Sequence, residues 1–259
     1  MISKTIHYCW FGRNAKPKLA EKCIKSWKKY CPNYEIIEWN EDNFDISSAP
    51  VYVQQAYEAK KWAFVTDYVR LWAMTEFGGI YMDTDVELVA SLDQFLHHKA
   101  FSGFEDGVNI PTGIMASEKE FPLFKEFLHY YDNASFVNAD GSLDCKTNVA
   151  IMTESCLSHG LVQNNQYQVI EGFAIYPREV FCPYDCATGR ITKTKETAAI
   201  HWFAASWLTE KQREGRKNVI KEVQKSDRIH NLTHLPNRLL RKILGDENYE
   251  KLKCDLKKT

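Results

Sequence analysis

Asp83 and Asp85, one residue apart, close an apolar run (80–82) that stands directly behind Gly78 and Gly79. A strand ending in Asp-x-Asp can bring both carboxylates to one hard cation through oxygen ligands. A departing diphosphate gathers negative charge that Mg2+ or Mn2+ neutralises, so this is chemistry a sugar diphosphate requires. Asp-x-Asp alone is common in surface turns, and its neighbours give it weight. Asp67 and Arg70, three apart, share one face of a helical segment that the two glycines end. Arg70 and Asp67 lie roughly 12–17 Å back from the glycines at helical rise. Asp83 and Asp85 lie roughly 13–20 Å forward at strand rise. If helix and strand pack antiparallel across the turn, Asp67, Arg70, Asp83 and Asp85 reach one level and line one catalytic pocket. A surface Asp67–Arg70 pair beside a solvated acidic turn is the plainer alternative.

Two further groups suit the same chemistry. Residues 7–12 end the first strand-like run, and ligands of parallel sheets sit at such ends. Trp10 can stack on a nucleotide base or fill core, and Gly12 lets a backbone come close. Near the end of the β-rich part, His201 can supply a third metal ligand or touch phosphate, with Ser206 and Trp207 donating hydrogen bonds. The small and polar segment 107–115 reads as a loop on the acceptor side or as an ordinary connection.

The elements that must position these groups are legible in outline. Residues 4–11 read as a buried strand, 18–30 as a helix stopped by Pro32, and 34–39 as a second strand. Strand, helix and strand in that order make a βαβ unit and imply parallel pairing. Residues 51–60 and 62–77 read as helices and 80–83 as a strand. Helical character returns at 92–97, 122–131 and 148–158. Residues 100–104, 169–170, 174–176 and 198–201 are strand candidates. The expected fold class is α/β, a mostly parallel central sheet flanked by helices, with a catalytic domain at 1–209 and a basic helical C-terminal extension at 210–259.

Four blocks together resemble glycosyltransferase family 32: Ile6-His7-Tyr8-Cys9-Trp10-Phe11-Gly12, Ala63-Phe64-Val65-Thr66-Asp67-Tyr68-Val69-Arg70, Gly78-Gly79-Ile80-Tyr81-Met82-Asp83-Thr84-Asp85, and His201-x4-Ser206-Trp207. The family includes bacterial capsule sugar transferases and has distant kin in the catalytic domains of large clostridial glucosylating toxins. The resemblance implies a GT-A nucleotide-sugar-binding fold, retention of anomeric configuration and dependence on Mn2+ (or Mg2+). It implies a nucleotide-sugar donor, UDP-sugar favoured, and a glycan or lipid-linked saccharide acceptor in surface polysaccharide synthesis. By motif, Trp10 would stack on the base, with Cys9 and Phe11 in backbone contact. Asp67 and Arg70, next to Thr66, would hold the donor sugar, and Tyr81 would approach the phosphates. Asp85 would bind the metal directly, Asp83 would contact ribose, sugar or metal, and His201, a third metal ligand or phosphate contact, would close over the diphosphate with Ser206 and Trp207. Two other readings stay open: a haloacid dehalogenase-like metal phosphohydrolase, and a nucleotide-sugar-binding protein without turnover.

Composition sets the class and excludes others. The 259 residues are 44% hydrophobic and 26% charged, ordinary globular usage. No run approaches the ~20 apolar residues of a membrane span, and residues 1–10 lack the features of a signal peptide. The eight cysteines (9, 23, 31, 145, 156, 182, 186 and 254) lack the paired spacing of a zinc site, so reduced thiols and a cytoplasmic location are expected. From Lys211 onward there are 14 basic and 7 acidic residues, leaving 19 and 27 of the chain's 33 and 34 for the remainder. The basic, amphipathic stretch 235–244 suits peripheral docking on an anionic inner membrane face, or packing against the body. Nucleic acid is not expected as a partner.

Overall fold

The computed structural model describes residues 1–204 and 210–233, together with Gly245 and Asn248. Its chain divides into two compact units, Met1–Cys186 with Arg190–Trp207, and Ala187–Gly189 with Leu208–Thr259.

The first unit begins as the sequence implies. β1 (Thr5–Cys9), α1 (Lys18–Tyr30) and β2 (Glu35–Trp39) form a βαβ unit, with β1 and β2 parallel from Thr5 opposite Glu35 to Cys9 opposite Trp39. Helix α1 buries Ala20, Cys23 and Trp27 on one face, the spacing an amphipathic helix requires. It ends where the Cys31 N–H returns to the Trp27 carbonyl at 2.8 Å. Trp27 is fully buried, and its indole N–H donates to the Val86 carbonyl at 2.7 Å. A buried indole needs such a partner, and here it ties α1 to the segment behind the Asp-x-Asp.

Helices α2 (Val51–Glu58) and α3 (Trp62–Phe77) follow, then β3 (Gly79–Met82). Gly78 and Gly79 hold φ of 66° and 96°, a region where side chains are strained. A Cβ on Gly78 would also lie 2.5 Å from the Lys119 backbone nitrogen, so this turn admits only glycine. After β4 (Val86–Leu88) come β5 (Ala100–Gly103), β6 (Ile114–Ser117), α4 (Pro122–His129), α5 (Asn148–Ser158), β7 (Gln168–Ile170), β8 (Phe173–Tyr176), α6 (Arg178–Phe181) and β9 (Ala199–His201).

Seven strands make the central sheet in the order β2-β1-β3-β6-β5-β8-β7. β2, β1, β3, β5 and β8 run one way; β6 and β7 oppose them. The sheet is therefore mostly parallel, as expected, with helices over its faces. Alternation along the strands feeds two core layers. Cys9, Tyr81 and Met115 join Val65, Val69 and Phe124 in one, while Ile6, Ile80, Met82 and Phe101 join Trp27 and Phe181 in the other. All four residues of β3 are buried, which is why this strand reads as an unbroken apolar run.

Three expectations need correction. β4, β6 and α6 have no counterpart in the sequence reading. β6 takes Ile114 and Met115 out of the expected 107–115 loop, because it is wedged antiparallel between β3 and β5 and buried on both faces. Four buried residues carry no alternation that would announce a strand. The helix expected at 92–97 is only a 3-10 turn, Asp93–Phe95.

In the second unit, α7 (Glu210–Thr233) is the described element. Gly189 lies against it so closely that a Cβ would stand 2.5 Å from the Ile220 methyl. The expected docking stretch 235–244 lies outside the described residues. No helix among the described residues is long and apolar enough to cross a membrane. Among the described residues, Cys9, Cys23, Cys31, Cys145, Cys156 and Cys182 form no disulfide.

Candidate active site

β1, β3 and β5 end on the same edge of the sheet, and that edge carries the acidic residues. Asp83 leaves β3 with its N–H donated to the Gly113 carbonyl at 2.8 Å, at the entry of β6. Val86 N–H then returns to the Asp83 carbonyl at 2.9 Å, a tight turn that holds both aspartates at the strand exit. Across it, β4 pairs antiparallel with β9, setting Val86 opposite His201. This pairing brings a histidine from late in the chain to the Asp-x-Asp.

His201 Nε2 lies 3.3 Å from Asp85 Oδ1, and Asp85 Oδ2 accepts the Ala204 N–H at 2.6 Å. Burial disfavours a charged imidazole, but the Asp85 carboxylate outweighs it and holds His201 well above its ordinary value. Burial likewise pushes Asp85 up, and the charge and hydrogen bond of His201 reverse this and keep it below its usual range. Asp83, Asp85 and His201 each present one ligand atom, all within 4.8 Å of one another. Two carboxylate oxygens and an imidazole nitrogen at this separation fit a divalent ion with ligand bonds of about 2.0–2.2 Å after a small contraction. The donor set suits a divalent cation.

Helix α3 supplies the other wall. Asp67 and Arg70 are nearly fully buried. Arg70 Nη2 lies 3.3 Å from both Asp67 Oδ1 and Asp83 Oδ1, joining the helix to the strand exit as the spacing implied. Its Nη1 donates to the Thr112 carbonyl at 3.1 Å, and Nε to the Thr66 carbonyl at 3.4 Å. The guanidinium stands 5.0 Å over the Tyr81 ring. Tyr81 is buried, and its hydroxyl donates to Asp83 Oδ1 at 2.8 Å. Burial pushes the Asp67 carboxyl up to about 6, against the pull of Arg70, with Asp83 adding to the rise. Behind Asp67, the fully buried Asn148 donates to its carbonyl at 2.6 Å and accepts from the Tyr131 hydroxyl at 2.5 Å. That anchor places the helix along its axis.

At the end of β1, Cys9 and Phe11 are buried in the core and Trp10 is half-buried. The Trp10 N–H continues the parallel ladder to the Trp39 carbonyl at 2.9 Å, and its indole N–H donates to the Asn14 carbonyl at 2.6 Å. Lys16 Nζ lies 5.6 Å over its ring. Thr66, half-buried, contributes the carbonyl that Arg70 uses. Ser206 and Trp207 lie outside the described residues. The structure thus gathers Asp67, Arg70, Tyr81, Asp83, Asp85 and His201 around one strand exit.

Sequence reasoning missed Gly113, Asn148 and Glu105. Gly113 lies against the His201 ring. Glu105 follows β5 at the same edge, and burial pushes its carboxyl up while His201 draws it down. A polar residue just past an apolar strand was the signal for Glu105; the roles of the other two lie in contacts with distant segments, Asn148 with Asp67 and Gly113 with His201.

Residues 17–102 match the family model described as the glycosyltransferase sugar-binding region containing a DXD motif. The chain is 27% identical over 139 residues to inositol phosphoceramide mannosyltransferase 3 of Schizosaccharomyces pombe, covering 52% of this chain and 38% of that protein. It is 24% identical over 216 residues to the uncharacterized glycosyltransferase L373 of Acanthamoeba polyphaga mimivirus, covering 75% of this chain and 82% of that one. Among solved structures, the PaToxG glycosyltransferase aligns with a TM-score of 0.46 at 18% identity, over 61% of this chain and 69% of that one. The galactosyltransferase LgtC in complex with donor and acceptor sugar analogs aligns with a TM-score of 0.41 at 11% identity, over 85% and 95%. With Asp83 and Asp85 inside the matched third of the chain, residues 17–102 are similar to the sugar-binding region of the DXD-containing glycosyltransferases.

Proposed function

We propose that this protein is a retaining glycosyltransferase that moves a hexose from a nucleotide-sugar, UDP-sugar favoured, to a glycan or lipid-linked saccharide in capsule or surface polysaccharide synthesis. The observation that carries this reading is the Asp83–Asp85–His201 group beside the fixed Arg70. Mn2+ or Mg2+ bound there would neutralise the charge that develops on the departing diphosphate. Asp83, Asp85 and His201 would hold that ion. Arg70, tied to Asp67, Asp83 and the Thr112 carbonyl, supplies a positive charge that needs no reorganisation as the leaving group separates. Asp67, ionised at neutral pH, accepts hydrogen bonds from donor-sugar hydroxyls. Trp10, Cys9 and Phe11 at the end of β1, with Tyr81, Ser206 and Trp207, make up the rest of the donor site. The acceptor hydroxyl enters on the face from which the diphosphate leaves, which retains the anomeric configuration.

The family match supports this reading over a metal phosphohydrolase. The test is a panel of UDP- and GDP-sugars assayed for Mn2+-dependent release of the nucleoside diphosphate, with wild type and Asp85→Ala side by side. Donor-specific release that Asp85→Ala lowers by at least about 100-fold is expected. Tight donor binding without any release would point to a binding protein instead. The enzyme would work in the cytoplasm, with the basic stretch 235–244 docking it on the inner membrane face. Failure to sediment with anionic vesicles at low salt would end that part of the reading.

A further inference from the structure

Glu105 occupies a place in this site that the motifs do not account for. β5 runs parallel to β3 with only the antiparallel β6 between them. Met82 pairs with Ile114, and Phe101 pairs with Ala116. Continuing that register sets Gly103 level with Ile114 and Met82. The exits of β3 and β5 are therefore abreast, two strand spacings or about 10 Å apart. Asp83 leaves one exit and Glu105 the other, with Gly113 and the His201 ring between them.

The backbone at Glu105 is held firmly. Phe104 N–H donates to the Tyr176 carbonyl at 2.8 Å, and Glu105 N–H to the Asn109 carbonyl at 2.8 Å. Asp106 caps the same loop, accepting the N–H groups of Val108 and Asn109 at 3.1 and 2.9 Å and the Asn109 side chain at 2.8 Å. Ile110 N–H donates to Thr153 Oγ1 at 3.0 Å. The loop is thus held by its own hydrogen bonds and by Thr153 and Gln163 outside it. The half-buried Glu105 carboxylate has no hydrogen bond or ion pair among the described residues, yet its oxygens reach solvent. It lies close enough to His201 and Asp83 for their charges to bear on it. A half-desolvated carboxylate without a partner is costly unless a ligand supplies donors.

We infer that Glu105 is the acceptor-side carboxylate of the site: it accepts a hydrogen bond from the hydroxyl that attacks the donor sugar and takes its proton as the new C–O bond forms and the bond to the departing diphosphate breaks. The geometry favours this over a place among the metal ligands, because Asp83, Asp85 and His201 converge without it. It favours it over donor-sugar binding as well, since Asp67 and Arg70 form the opposite wall. A carboxylate held on a rigid loop orients the incoming hydroxyl without moving itself, the form of catalysis that depends on placement. The inference rests on the glycosyl-transfer reading above.

Water can serve as the acceptor hydroxyl, so no knowledge of the natural acceptor is needed for the test. Mn2+-dependent hydrolysis of the donor found in the UDP- and GDP-sugar panel is compared in wild type, Glu105→Gln and Glu105→Ala, and UDP or GDP affinity in the presence of Mn2+ is measured by calorimetry. A fall in kcat of at least about tenfold in both variants is expected, with donor KM and nucleotide affinity within twofold of wild type. Unchanged hydrolysis in either variant would overturn the assignment. Nucleotide–Mn2+ affinity weakened in step with kcat would overturn it too, by making Glu105 part of the metal or donor site. No release from any donor by wild type would instead remove the glycosyl-transfer reading, and this inference with it. Circular dichroism of both variants guards against misfolding.

Discussion

The imidazole of His201 rests on the backbone of Gly113, where a Cβ would stand 2.6 Å from Cε1 and 2.7 Å from Nδ1. Gly113 is not among the residues with positive φ, so the missing side chain matters for space and not for backbone conformation. The carbonyl of the same residue receives the Asp83 N–H. One glycine therefore sets the height of two of the three proposed metal ligands. Gly113→Ala is expected to push the ring away and weaken Mn2+ binding by about 10–100-fold, with the sheet intact. Calorimetric Mn2+ titration in the presence of nucleotide, beside circular dichroism, checks this. Unaltered affinity would mean that the ring shifts freely.

Arg70 ties three groups with one planar fork, which a lysine ammonium does not reproduce. Arg70→Lys is expected to lower kcat by about 10–100-fold at a modest loss of stability. Arg70→Ala leaves two carboxylates facing each other without compensation and is expected to destabilise the fold by about 3–5 kcal/mol. Urea denaturation separates the two effects. Equal stability of Arg70→Ala and wild type would show that the buried pair is not energetically coupled.

Chelation gives a third expectation. If the Asp83–Asp85–His201 group holds the ion, EDTA abolishes nucleoside diphosphate release and Mn2+ restores it, while thermal stability falls only slightly. Activity that persists in excess chelator would refute the metal-dependent mechanism.

His7 carries a pH signature. It is fully buried, accepts the Trp39 indole N–H on Nδ1 at 3.1 Å and meets the Gly78 carbonyl through Nε2 at 3.0 Å. An indole only donates, so Nε2 bears the proton of the neutral ring. Burial pushes its pKa down to about 4, against the Gly78 contact. Between pH ~6.5 and ~4 the unfolded chain binds a proton at His7 that the folded chain refuses, so stability falls as pH falls through this window, by about 3 kcal/mol in all. His7→Gln is expected to flatten that slope. Unfolding free energies from urea titrations at pH 7, 5.5 and 4.5 provide the comparison; parallel slopes would contradict it.

Much of this site is local in sequence and could be read there. The helix at Lys18–Tyr30, the helix at Trp62–Phe77 and the glycine pair that ends it are all set by periodicity and by backbone preference. Helical and strand rise across one glycine turn then bring Asp67 and Arg70 level with Asp83 by arithmetic, and Arg70 does bridge the two aspartates. Asn148, the partner that anchors Asp67, looked like an ordinary first residue of a helix, because its role lies in a contact with a helix 81 residues away.

Composition, the apolar rhythm of the first two strands and the Asp-x-Asp with its helix were thus determined by the sequence itself, since each depends on neighbours within a few turns of chain. The tertiary structure decided the rest. β6 inserts antiparallel between β3 and β5, and β9 pairs with β4 more than 100 residues earlier. Those pairings bring His201 to Asp85, lay it on Gly113 and set Glu105 abreast of Asp83. Strand pairing draws its stability from burial and from hydrogen bonds between distant segments, so the choice of partner is settled only when the whole sheet forms.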